Sequence, residues 1–203
     1  MLRLLLLFSL VALITGTVSG QCPLTGLVCP PTKICFAIDE SGSINDDEFD
    51  LQTGALIDIV DSFLSCSPGS SFAAAGFSSD AHRISRLTTN IDNFKNKLRR
   101  NDQVKGYTSS GSGLIKCSDE LENESDPRVI VLITDGQDNR TPFGTVAAPD
   151  IRRSGITIAV IGVTDDVNEA DLREIASKDP ATNDPLYTFV DDFDRLVLSL
   201  IHI

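Results

Sequence analysis

Three short runs of almost unbroken apolar residues constrain this chain more than any other feature: 34–38 (ICFAI), 129–133 (VIVLI) and 157–163 (TIAVIGV). A strand with one wet face alternates apolar and polar residues, whereas a strand covered on both faces reads as a continuous apolar run. None of these runs approaches the roughly 20 residues of a membrane-spanning helix. The segments between them repeat with a helical period. After the first run, Phe49, Leu56, Ile57, Val60, Phe63 and Leu64 mark one buried helix face. Asn45 is placed to cap that helix, with Glu48 three residues on as its box partner. Strands alternating with helices predict an α/β fold: a doubly wound, Rossmann-like three-layer sandwich with a mostly parallel central sheet.

The remaining segments fit that frame. Residues 71–77 (SFAAAGF) read as a strand of small side chains. The three residues 78–80 leave room only for a tight turn into 82–87, so the next strand is an antiparallel edge. A short helix over 90–100 carries Ile91, Phe94 and Leu98. A Gly/Ser/Thr loop over 106–113 leads into a helix through Leu114, Ile115, Cys117 and Leu121. Further helices are expected near 147–153 and 169–177, a last strand at 187–190, and a final amphipathic helix on Phe193, Leu196, Val197, Leu200 and Ile201.

Residues 1–20 have the form of a secretory signal peptide: Arg3, an apolar stretch over 4–14, and small residues at Val18-Ser19-Gly20. Residues 21–32 form a Cys/Pro-containing lead-in, and the folded domain occupies 33–203. A secreted, extracellular protein is expected, with no membrane span in the mature chain. The formal charge of −12 argues against nucleic acid or anionic lipid as partner. Five cysteines, Cys22, Cys29, Cys35, Cys66 and Cys117, suggest two disulfides and one leftover thiol. Cys22 and Cys29 would staple the lead-in, and Cys35, inside the first strand, is the candidate for the buried free thiol. Two histidines and no CxxC pair speak against a zinc site built from those ligands. Sequons at Asn123 and Asn139 are candidate glycosylation sites.

The chemistry gathers where the apolar runs stop. The first ends in Asp39-Glu40-Ser41-Gly42-Ser43, and the 129–133 run ends in Thr134-Asp135-Gly136. Parallel strands put both carboxylates at one edge of the sheet, where ligands of such folds bind. The loop Gly106-Tyr107-Thr108-Ser109-Ser110 supplies further hydroxyls at that edge. Two carboxylates and three hydroxyls form an all-oxygen donor set suited to a hard cation, most simply Mg2+, with Mn2+ or Ca2+ as alternatives. The glycine fingerprint of dinucleotide folds, the phosphate-binding GxxxxGK[ST] loop and the GxSxG nucleophile elbow are all missing. Glu40 is expected to face solvent and His82 to be an exposed hairpin residue. Asp138 and Asn139 would shape the rim of the site.

Asp-x-Ser-x-Ser after the first strand, a Gly-x-Thr loop and Ile-Thr-Asp-Gly after a later strand resemble the von Willebrand factor A domain, over about residues 33–201. The resemblance implies a metal-ion-dependent adhesion site (MIDAS). Ser41 and Ser43 would then bind the metal directly, Thr108 would join them in a ligand-competent state, and Asp39 and Asp135 would hold metal-bound waters. An Asp or Glu of an extracellular partner would fill the open position. Where many relatives carry a second Thr, this chain has Ser110. In related adhesion domains displacement of the last helix accompanies an affinity switch. With no domain after it, little regulated affinity is expected here.

The resulting expectation is a secreted single-domain protein that binds a protein ligand through a divalent cation, in cell adhesion or matrix interaction. It is not an enzyme: no general base stands beside the cation. The alternative is an acidic structural matrix component with a vestigial metal site. A metal-dependent hydrolase ranks third.

Overall fold

The computed structural model describes residues 30–125, 127–164 and 167–191. The proposed signal peptide, Cys22, Cys29 and the expected helix over 193–201 lie outside the described residues. The described elements follow the predicted order. They are β1 (Lys33–Asp39), α1 (Asp46–Cys66), β2 (Ser71–Phe77), β3 (Ala81–Thr88), α2 (Ile91–Arg99), α3 (Ser110–Leu121), β4 (Arg128–Thr134), α4 (Gly144–Arg153), β5 (Thr157–Val163), α5 (Glu169–Ile175) and β6 (Tyr187–Val190).

One six-stranded sheet has the order β3-β2-β1-β4-β5-β6, with every pairing parallel except β2–β3. The strand order therefore reverses between β1, which ends in Asp39, and β4, which Asp135 directly follows. The apolar runs behave as their composition demands. Residues 34–39 of β1, 129–134 of β4 and 158–163 of β5 are all buried. Alternate residues of each strand feed two separate cores. Phe36, Val131 and Ile161 pack with α1 and α2, through residues such as Leu56, Phe63 and Phe94. Ala37, Leu132 and Val160 pack with α3, α4 and α5, through Leu114, Ile151 and Leu172.

The capping box of α1 is present. The Glu48 backbone N–H donates to Asn45 Oδ1 at 3.0 Å, and the Asn45 N–H donates to Glu48 Oε2 at 2.8 Å. Two expectations need correction. Cys35 is not a thiol: it forms a disulfide with Cys117, joining β1 to α3 across 82 positions of sequence. And α3 begins at Ser110, inside the segment expected to be a loop. Its Gly111 and Gly113 are sites of close approach. A Cβ on Gly111 would lie 2.5 Å from the Pro142 carbonyl oxygen, and one on Gly113 would lie 2.5 Å from Phe77 Cδ1.

Candidate metal centre

The site is built at the switch point from three loops. The first follows β1. Asp39 ends that strand fully buried, and its two oxygens are engaged separately. Oδ1 accepts from the Ser41 N–H at 2.8 Å, and Oδ2 accepts from the Thr134 hydroxyl at 2.5 Å. The Asp39 carbonyl accepts from Gln52 Nε2 on α1 at 3.0 Å, which fixes the strand end to the following helix. The loop beyond it is held by Gln103, whose Nε2 donates to the carbonyls of Ser41 (3.0 Å) and Ile44 (2.9 Å).

The third loop follows β4 and meets the first through hydroxyls. Ser41 Oγ and Ser43 Oγ are 2.9 Å apart, and Ser43 Oγ donates to Asp135 Oδ1 at 2.9 Å. Thr108, on the second loop, is buried beside them. Its Oγ1 and Ser43 Oγ both lie 3.9 Å from the place a Cβ on Gly136 would take, so this glycine leaves the space between the loops open. All five predicted residues, Asp39, Ser41, Ser43, Thr108 and Asp135, are thus brought to one place.

Electrostatically, the place disfavours a bare negative charge on Asp39. Burial, with the facing Asp135 carboxylate second, pushes the Asp39 carboxyl up from 3.8 to about 7, and the hydrogen bonds from Thr134 and Ser41 offset this only in part. No cationic side chain among the described residues enters that balance. Among the described residues no three His, Cys, Asp or Glu side chains are grouped so that they could hold a metal ion by themselves. Hydroxyls complete the donor set, so the residues fit a hard, oxygen-preferring cation better than a soft one.

Several supporting residues, Gln52 and Gln103 above among them, are given no such role by the sequence. Thr134 holds Asp39, as above. Asn139 Oδ1 accepts the Thr108 N–H at 2.8 Å, while the N–H groups of Asn139 and Arg140 donate back to the Thr108 carbonyl at 3.0 and 3.1 Å. Asp138 accepts from the Ser110 N–H at 2.5 Å, the Ser110 hydroxyl at 2.6 Å and the Gly144 N–H at 2.6 Å. It ties the starts of α3 and α4 together, and the Ser110 hydroxyl is spent on it. The acid and amide two and three residues past Gly136 are the visible signal. Glu40 corrects an expectation outright. It is fully buried, accepting from Asn101 Nδ2 at 2.7 Å and the Val104 N–H at 3.2 Å, with His82 Nε2 3.7 Å away. Burial raises its pKa, opposed by Asn101, the His82 charge and Val104. His82 is accordingly only partly exposed and sits on Glu40 and Asn101.

A family model, the von Willebrand factor type A domain, matches residues 33–201. The chain belongs to that family. Among its relatives is the collagen alpha-5(VI) chain of Mus musculus, 30% identical over 196 residues, a match covering 89% of this chain and 7% of the relative. The chain thus spans less than a tenth of that relative's length. Among solved structures, proximal thread matrix protein 1 from the mussel byssus superposes with a TM-score of 0.74 at 26% identity, covering 87% of this chain and 47% of the mussel chain. A structure of the same mussel protein with a zinc-occupied MIDAS motif matches with a TM-score of 0.73 at 21% identity, covering 86% and 47%.

Proposed function

We propose that this von Willebrand factor A domain holds a divalent cation at Asp39, Ser41, Ser43, Thr108 and Asp135, and through it binds an Asp or Glu side chain of an extracellular protein. The observation that carries the reading is the pair of buried strand-end acids flanked by hydroxyls, with Asp39 pushed to about 7 by burial and by its neighbour. A bound cation would supply the missing positive charge and an open position for an outside carboxylate. Mg2+ is the first choice on the all-oxygen donor set, with Mn2+ and Ca2+ next. The zinc-occupied motif of the mussel protein supports a divalent ion in general. The collagen VI relatives support a matrix or adhesion setting, reached through the signal peptide proposed at 1–20. We read the chain as a binding module and not as an enzyme.

One observation favours the second reading, an acidic matrix component with an unused site. The chain Ser41–Ser43–Asp135 closes its own hydrogen bonds and needs no ion to do so. Thermal melts with Mg2+, Mn2+, Ca2+ or EDTA, on the natural domain and on Asp39→Ala, separate the two. A specific ion at 100 times its dissociation constant stabilises by about 2.7 kcal/mol. A cation-dependent rise in Tm that Asp39→Ala abolishes supports the metal-binding domain; equal melts in all conditions support the structural component.

A further inference from the structure

Glu40 holds no place in the donor set, yet its side chain, like that of Asp39 beside it, is shielded from solvent. The fold makes room for it at a cost to β2. A Cβ on Gly76 would lie 1.9 Å from Glu40 Oε1, so only glycine can stand there while the carboxylate keeps its position. What the carboxylate holds is the segment after α2, through the Asn101 side chain and the Val104 N–H. The same segment grips the first loop, by Gln103 on the carbonyls of Ser41 and Ile44 and by the Gly106 carbonyl, which accepts the Gly42 N–H at 3.0 Å. Two residues further along is Thr108.

We propose that Glu40 is a positioning residue that braces the first loop, bearing Ser41 and Ser43, against the second, bearing Thr108, by anchoring residues 101–104 between them. Its consequence for cation affinity rests on the metal-binding reading; the brace itself does not. Ligands held by fixed neighbours bind more tightly than ligands that must be ordered on binding, and loss of such support typically weakens metal affinity 10- to 100-fold.

The test compares the natural domain with Glu40→Gln and Asn101→Ala. Gln keeps the shape of Glu40 but removes its charge. Asn101→Ala keeps the charge and removes one anchor at a partly exposed position, so it serves also if Glu40→Gln does not fold. Amide hydrogen exchange is followed in EDTA, and Mg2+ affinity by calorimetric titration. We expect faster exchange at the Gly42 N–H in both variants, unchanged exchange in β4, and Mg2+ affinity about tenfold weaker in both. Unchanged exchange at Gly42 overturns the brace. Weaker Mg2+ binding in Glu40→Gln alone overturns its consequence for affinity, because Glu40 would then act as a nearby negative charge. If the natural domain takes up no Mg2+ while both variants free the Gly42 amide, the brace stands and the metal-binding reading falls.

Discussion

A carboxyl group raised to about 7 in the folded state carries a definite sign for stability. Between pH 4 and pH 7 the folded metal-free domain holds the Asp39 proton that the unfolded chain, with a value near 3.8, has already released. Stability must therefore fall as pH rises through that window, because the folded state binds more protons. Urea melts in EDTA at pH 4.5 and pH 7.5 should show the loss, and Asp39→Asn should lessen it, with the buried Glu40 acting in the same direction; an unchanged slope in the variant would place the effect elsewhere. Saturating Mg2+ should restore stability chiefly at the upper end, where the carboxylate is ionised. The residue scale also holds the largest misreading from sequence. Asp39 and Asp135 were legible because each terminates an apolar run. Glu40 was not, since its burial is decided by Gly76 and by residues 101–104, all remote in sequence. Gly76→Ala should test that dependence. Forcing a methyl into the carboxylate should cost at least about 1–3 kcal/mol in a urea melt.

At the scale of elements, periodicity and capping located most of the chain. The 21-residue helix α1 announces itself by Asn45 and Glu48, and Asn45→Ala should cost about 1 kcal/mol in chemical denaturation. The start of α3 was hidden for a physical reason. Ser-Gly-Ser-Gly is poor helix material by intrinsic propensity, and here tertiary approach overrides it, with Gly111 lying against the 142–143 backbone and Gly113 against Phe77. The Cys35–Cys117 disulfide was hidden in the same way, because pairing follows the packing of α3 on β1, which sequence spacing does not record. That bond joins the strand ending in Asp39 to the helix that follows Thr108. Closing a loop of 82 positions should constrain the unfolded chain by about 4.5 kcal/mol on the chain-entropy account. Cys35→Ala/Cys117→Ala should lose an amount of that order in urea. A loss below about 1 kcal/mol would mean that the helix docks without help from the cross-link.

For the whole molecule the relevant quantity is the net charge of −12. Self-repulsion of that size destabilises a compact state, and any salt relieves it by screening, with a Debye length of about 10 Å at 0.1 M. Magnesium chloride therefore acts in two ways, as a screening salt at every surface acid and as a specific ion at the switch point. The two separate at matched ionic strength. Raising NaCl should lift the Tm of the natural domain and of Asp39→Ala alike, since removing one of 29 acidic residues hardly alters the field. Replacing part of that NaCl by MgCl2 at constant ionic strength should lift only the natural domain. Equal gains in both proteins would assign the magnesium effect to the acidic surface. A gain confined to the natural domain would locate it at the carboxyl ends of β1 and β4, where the strand order reverses.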